Sequence, residues 1–103
     1  MTQRRRFVRR RFTLPAVITA AEVEVQVTIL ELSGQGCVLQ CPGQLPDSVE
    51  LSFTLKGSSL RISSRIVWQR QSGDRFFCGL DFDIDSAQRS LIVDEILGEI
   101  IRP

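Results

Sequence analysis

Val23-Glu24-Val25-Gln26-Val27-Thr28-Ile29 decides the fold. Four β-branched apolar residues alternate with three polar ones, a period of two that gives a strand one face in a core and one in water. Working outward, Leu14, Ala16, Ile18 and Ala20 alternate in the same way, and Pro15 confines that strand to an edge or to its opening residues. Downstream, Glu31-Leu32-Ser33-Gly34-Gln35-Gly36 is a turn-rich break, after which Cys37, Leu39 and Cys41 resume the alternation. Pro42, Gly43 and Pro46-Asp47 mark a loop. Val49, Leu51, Phe53 and Leu55 form another strand, and Lys56-Gly57-Ser58-Ser59 a hairpin turn. Leu60, Ile62, Ile66 and Trp68 continue on the even positions. Ser72-Gly73-Asp74 turns again, and Phe76, Cys78, Leu80 and Phe82 give the last strand. Six short strands joined by hairpin turns predict an all-β fold, a six-stranded antiparallel β-barrel, because closing the sheet removes its edges.

After Phe82 the period changes. Asp85 with Gln88 three residues later has the spacing of a helix-capping pair, and Ile92, Ile96 and Ile100 form a stripe widened by Val93 and Leu97. The spacing predicts a C-terminal helix of about four turns packed on the barrel or over one mouth.

Charge divides the chain. Six arginines fall within residues 4 to 11, and no acidic residue precedes Glu22. Past residue 12 the balance reverses, with seven Lys and Arg against twelve Asp and Glu. Residues 1–12 therefore read as a basic arm and 13–103 as the barrel with its helix. An acidic body argues against coating nucleic acid with a broad basic face. Arginine grips phosphate in a two-pronged way and stacks on bases, so the arm points to a phosphorylated or nucleotide-like partner.

The chain contains no histidine, which removes the usual general base and the commonest transition-metal ligand. No Walker A or Gly-x-Gly-x-x-Gly element is present, and the residues give little support for an enzyme, a cofactor or a metal site. Cys37 and Cys41 lie about 13 Å apart along one strand, too far to bridge, and with Cys78 they read as small buried residues. No apolar run reaches membrane-span length and the N-terminus lacks a secretory apolar core, so the expected location is cytoplasmic.

The arm and the Glu31–Gly36 turn resemble the two halves of the signature of the PilZ domain family. Arg5-Arg6-Phe7-Val8-Arg9 fits its Arg-x-x-x-Arg motif, with Arg4 as the preceding arginine. Glu31-Leu32-Ser33-Gly34-Gln35-Gly36 fits its Asp/Asn-x-Ser-x-x-Gly motif at Ser33 and Gly36, with Glu in place of Asp or Asn. Arg65-Ile66-Val67-Trp68 and Cys78-Gly79-Leu80-Asp81-Phe82 are similar to the family's late strand pair. The resemblance covers essentially the whole chain and implies binding of the bacterial second messenger cyclic di-GMP.

The residue chemistry suits that ligand. Its guanines present O6 and N7 to an arginine fork, its two phosphates take paired hydrogen bonds, and a guanidinium plane stacks on a purine. The resemblance assigns guanine and phosphate contacts to Arg5 and Arg9. With Arg4 at the preceding position, the resemblance further implies two stacked ligand molecules per domain. Glu31 and Ser33 would hydrogen-bond a guanine, and Gly36 would allow a close approach of ligand or chain. Trp68 is either a neighbour of the purine or a core residue. Arg6, Arg10 and Arg11 have no motif role and read as solvated charge. The extra methylene of Glu31 displaces its carboxylate by about 1.5 Å from the family's position. Ligand drawing a mobile arm onto the barrel would signal to an effector protein. Two alternatives stand beside the receptor: a ligand-independent adaptor acting by protein–protein interaction, and a small barrel binding RNA or DNA through its arm.

Overall fold

The structure is a computed structural model that describes residues 9–55 and 57–101, with the side chains of Arg9, Arg10, Phe12 and residues 96–101 outside that description. Six strands run in order: β1 (Arg9–Ala20), β2 (Val23–Ser33), β3 (Gly36–Cys41), β4 (Ser48–Leu55), β5 (Ser58–Ser72) and β6 (Arg75–Asp83). A helix, α1 (Ser86–Ile101), follows. The strands close into an antiparallel barrel in the order β1-β2-β3-β6-β5-β4, with β4 returning to β1.

The expected alternation fills the interior. Ile18, Ile29, Leu32, Leu39, Leu51, Ile62 and Cys78 are fully buried, and Ile92 reaches the same core from α1. Asp85 caps that helix as its spacing predicts: its Oδ1 accepts from Gln88 N at 2.8 Å. This satisfies one of the amide groups that a helix start leaves without an internal partner.

Several details differ from the sequence reading. The alternation puts Val23 on the core face, yet it is 60% exposed, because it opens β2 at the hairpin end. The strands are also longer than the short ones expected, reaching 15 residues in β5. Not every connection is a hairpin. The loop from residue 42 to 47 carries the chain from β3, a neighbour of β6, to β4 on the far side of β5. Its Leu45 is buried and held at both backbone atoms by Gln69, with Nε2 donating to Leu45 O at 2.8 Å and Oε1 accepting from Leu45 N at 3.0 Å.

The β1–β4 ladder spans only Ala16–Thr19 against Phe53–Glu50. It stops beside Pro15, which has no N–H to donate. A groove of about 1030 Å³ opens there, and Arg61 on its wall pairs with Glu50 at 3.5 Å.

Candidate functional site

Three irregularities interrupt the ladders, and all three lie around one cleft. β1 shifts register between Arg11 and Leu14, β2 shifts against β3 between Ile29 and Glu31, and β5 shifts between Ile66 and Trp68. Each inserts a residue, and the side-chain parity of the strand reverses beyond it. In β2 the core positions are Val27 and Ile29, then Leu32. Without the extra residue, the period of two would send Glu31 inward. With it, Glu31 turns to the outer surface. In β5 the inward series Leu60, Ile62, Ser64 and Ile66 ends at the shift, and Trp68 turns outward with 40% of its surface exposed. The core alternative for Trp68 is thereby overturned.

The cleft measures about 610 Å³ and is lined by Arg11, Thr13, Leu30, Glu31, Val38, Trp68, Arg70 and Phe77. It spans the outer face of β1, β2, β3, β6 and β5, which are consecutive in the sheet. The β1–β2 register sets Arg11 opposite Glu31 and Arg9 opposite Ser33. The ladder thus brings the end of the arginine run against the turn motif, and β1 takes in residues 9–12 that the sequence reading grouped with the arm.

The turn between β2 and β3 is held from within. Ser33 Oγ donates to Gly36 O at 3.3 Å and accepts from Gln35 N at 3.2 Å, and Ser33 is buried. A Cβ on Gly36 would run into the Leu80 carbonyl oxygen, so glycine here lets β3 approach β6 closely. The close approach belongs to the chain. Phe82 N donates to Gln35 O at 2.9 Å, and Arg89 Nε from α1 donates to Gly34 O at 3.0 Å. The tip of the turn is therefore fastened to both β6 and the helix.

Trp68 is seated by its neighbours. Its register partner is Gly79, and the five-membered ring occupies the space a Cβ there would need. Arg70, two residues along the same strand face, holds its guanidinium carbon 5.7 Å from the Trp68 ring centroid, within cation–π range. The expected pairing of Arg65–Trp68 with Cys78–Phe82 is observed, with Arg65 opposite Asp81.

Of the residues singled out from sequence, Glu31 and Trp68 line the cleft, and Ser33 and Gly36 shape the adjoining turn. Arg9 is positioned through its backbone, while Arg4 and Arg5 lie outside the described residues. Arg11 and Arg70 were missed. Arg11 is one of six arginines within residues 4 to 11, and nothing in the sequence separates a cleft residue there from solvated charge. Arg70 carried a readable signal, since residues 68 and 70 share a strand face and set a cation beside an aromatic ring.

The three cysteines are buried, and Cys41 Sγ lies 3.8 Å from Cys78 Sγ. Burial pushes all three thiols up, that of Cys78 to about 12 with the nearby Cys41 adding to the effect. They are therefore poor nucleophiles near neutral pH. Among the described residues no cluster of His, Cys, Asp or Glu could hold a metal ion, and no helix is long and apolar enough to cross a membrane.

Comparison with known proteins places this architecture. No curated protein matches the chain. Among solved structures it is similar to the Bacillus subtilis inhibitor of motility MotI/DgrA, with 17% identity and a TM-score of 0.79 over 98% of this chain and 54% of that one. The PilZ domain of CeSA from a cellulose-synthesizing bacterium matches at 22% identity and a TM-score of 0.63, over 90% of this chain and 97% of that one. Escherichia coli YcgR, solved in complex with c-di-GMP, matches at 13% identity and a TM-score of 0.71, over 97% of this chain and 47% of that one. The chain thus spans about half the length of the MotI/DgrA and YcgR chains. At these identities the likeness speaks for the fold, and the family rests on the match of the PilZ domain model to residues 3–98, nearly the whole length of the barrel and helix: the chain belongs to the PilZ domain family.

Proposed function

We propose that the domain is a receptor module for cyclic di-GMP, binding the dinucleotide on the outer face of the barrel between the arginine run and the Glu31–Gly36 turn. One observation carries the reading. Arg9 is the register partner of Ser33 and Arg11 that of Glu31, so the two motifs meet in one ladder beside a cleft that also contains Trp68 and Arg70. A ligand of charge about −2 finds guanidinium groups for its phosphates, a carboxylate able to accept from guanine N1–H and N2–H, and an indole for a purine face. The Escherichia coli YcgR structures solved with c-di-GMP agree with this reading.

In the full proposal Arg4, Arg5 and Arg9 bind guanine and phosphate, two stacked ligands occupy the site, and Glu31 holds a guanine edge. Ser33 and Gly36 act chiefly by shaping the turn. Ligand draws the arginine arm onto the barrel and so alters the surface offered to an effector protein in the cytoplasm. Binding is the whole of the activity, with no catalytic step.

Titration calorimetry with cyclic di-GMP tests the reading, using wild type, Arg5→Ala/Arg9→Ala and Glu31→Asp. The expected result is saturable binding near two per domain that the double substitution abolishes. Absence of binding in every variant overturns the receptor. Two observations favour a second reading, a ligand-independent adaptor: Glu31 replaces the family's shorter acidic or amide residue, and the Ser33 hydroxyl is engaged within the turn. Binding by Glu31→Asp alone supports that reading. Amide exchange across the arginine arm at saturating ligand tests the signalling step, which fails if protection there is unchanged.

A further inference from the structure

The cleft holds a cation–aromatic pair that belongs to neither signature motif. Trp68 and Arg70 project from one face of β5 beyond its register shift, and the guanidinium carbon of Arg70 stands 5.7 Å from the indole centroid. Gly79 backs the indole on the barrel side. Trp68 is therefore braced from beneath, and among the described residues the side chain of Arg70 stands over its ring.

We infer that Arg70 is a ligand-binding residue that closes a clamp with Trp68, taking one purine base between guanidinium and indole. The inference rests on the receptor reading above and deepens it by naming a base-stacking subsite on β5. Two stacked layers at ordinary carbon–carbon contact occupy roughly 7–8 Å, so a guanidinium now 5.7 Å from the ring centroid has to swing outward by about 2 Å to admit a flat base, within the reach of an exposed arginine. Inserting the base replaces one cation–π contact by two stacked contacts, indole on base and base on guanidinium. Arg11 and Glu31 line the same cleft, so polar groups stand within reach of the base edge and the phosphate. A planar side chain is required for this role, because a lysine ammonium supplies charge without a stacking plane. The clamp thus selects for an aromatic base, in addition to the charge attraction that any phosphate would feel.

Trp68 is the only tryptophan and the chain has no tyrosine, so its fluorescence reports on this subsite directly. The experiment is a cyclic di-GMP titration of the full chain, followed by calorimetry and by Trp68 emission, for wild type, Arg70→Ala, Arg70→Lys and Arg61→Ala. Arg61 lies on the β1–β4 groove and controls for the loss of one positive charge. Expected are a saturable change in wild-type emission that follows the heat, and a loss of affinity of roughly tenfold or more in Arg70→Ala. Arg70→Lys should stay near Arg70→Ala, and Arg61→Ala within about twofold of wild type. The clamp is overturned if wild type binds but Arg70→Ala binds equally well. It is overturned too if Arg70→Lys restores full affinity, which would leave a charge without a stack, or if Trp68 emission is unchanged at saturation. No heat from wild type overturns the receptor reading and the clamp together. Thermal unfolding of Arg70→Ala, expected to match wild type because the side chain is exposed, separates a lost contact from a lost fold.

Discussion

Trp68 and Gly79 face each other across β5 and β6, and the indole takes the space that any side chain at 79 would fill. The relationship explains how a large aromatic residue stands on the outside of the barrel without being loose. The ring is pressed against bare backbone on one side and offers its other side to the cleft. A register shift at Val67 turns it outward, and an absent Cβ lets it settle.

Gly79→Ala should therefore displace Trp68. A built Cβ comes within 2.6 Å of Trp68 Cε2 and closer still to Nε1, so the ring must move. Overpacking of this kind costs about 1–3 kcal/mol, and the displaced indole should change its emission wavelength. Gly43→Ala, where nothing lies within 4 Å of the added carbon, should do neither. Equal emission spectra for wild type and Gly79→Ala would show that the ring is not held by this contact.

Gly36→Ala should be the more damaging substitution. The neighbour it meets is backbone, the carbonyl of Leu80, with Asp81 Cα at 3.5 Å, and neither can swing aside as a side chain can. The β3–β6 ladder would have to open at Gly36–Asp81. A loss of about 2 kcal/mol or more in urea unfolding is expected. Gly73→Ala, strained only by its φ of 64°, should lose about 1 kcal/mol. A smaller loss at 36 than at 73 would contradict the close approach.

Most of the barrel was legible because its strands are half-buried. Cys37, Leu39 and Cys41 in β3 and Val49, Leu51, Phe53 and Leu55 in β4 point inward as their alternation says, and Asp85 caps the helix as its spacing says. The site was legible as a pair of motifs but not as a surface. Strict alternation sends Glu31 and Trp68 into the core, and both stand outside because an inserted residue reverses the parity just before them. An insertion of one residue leaves no mark in composition, since Leu30 and Val67 are ordinary strand residues. Nor did any residue announce the β1–β2 turn, which lacks glycine, asparagine and proline.

That turn yields a stabilising prediction. Ala20 pairs with Val23, leaving Ala21 and Glu22 as the two turn residues, with φ of 51° and 65°. Positive φ at both positions is what a tight hairpin requires, and asparagine followed by glycine adopts it with least strain. Ala21→Asn/Glu22→Gly should raise stability by about 1 kcal/mol, read as a higher urea midpoint at unchanged slope. An unchanged or lower midpoint would mean that the turn stores no strain.

The buried thiols set the behaviour at high pH. Burial disfavours the thiolate in the folded chain and raises Cys37, Cys41 and Cys78 above the ordinary 9.0, Cys78 to about 12. The unfolded chain ionises its thiols first, so above that ordinary value it binds fewer protons than the fold. Stability from this source is complete below about pH 9 and falls as pH rises from there towards 12. Urea unfolding of wild type and Cys78→Ala at about pH 8 and about pH 10.5 tests this, because titration of the other groups is common to both chains. Wild type should lose more stability across the interval than Cys78→Ala, and alkylation of the native thiols should stay slow until denaturant is added. Equal losses in the two proteins would mean that the Cys78 thiol ionises as readily folded as unfolded, against its burial beside Cys41.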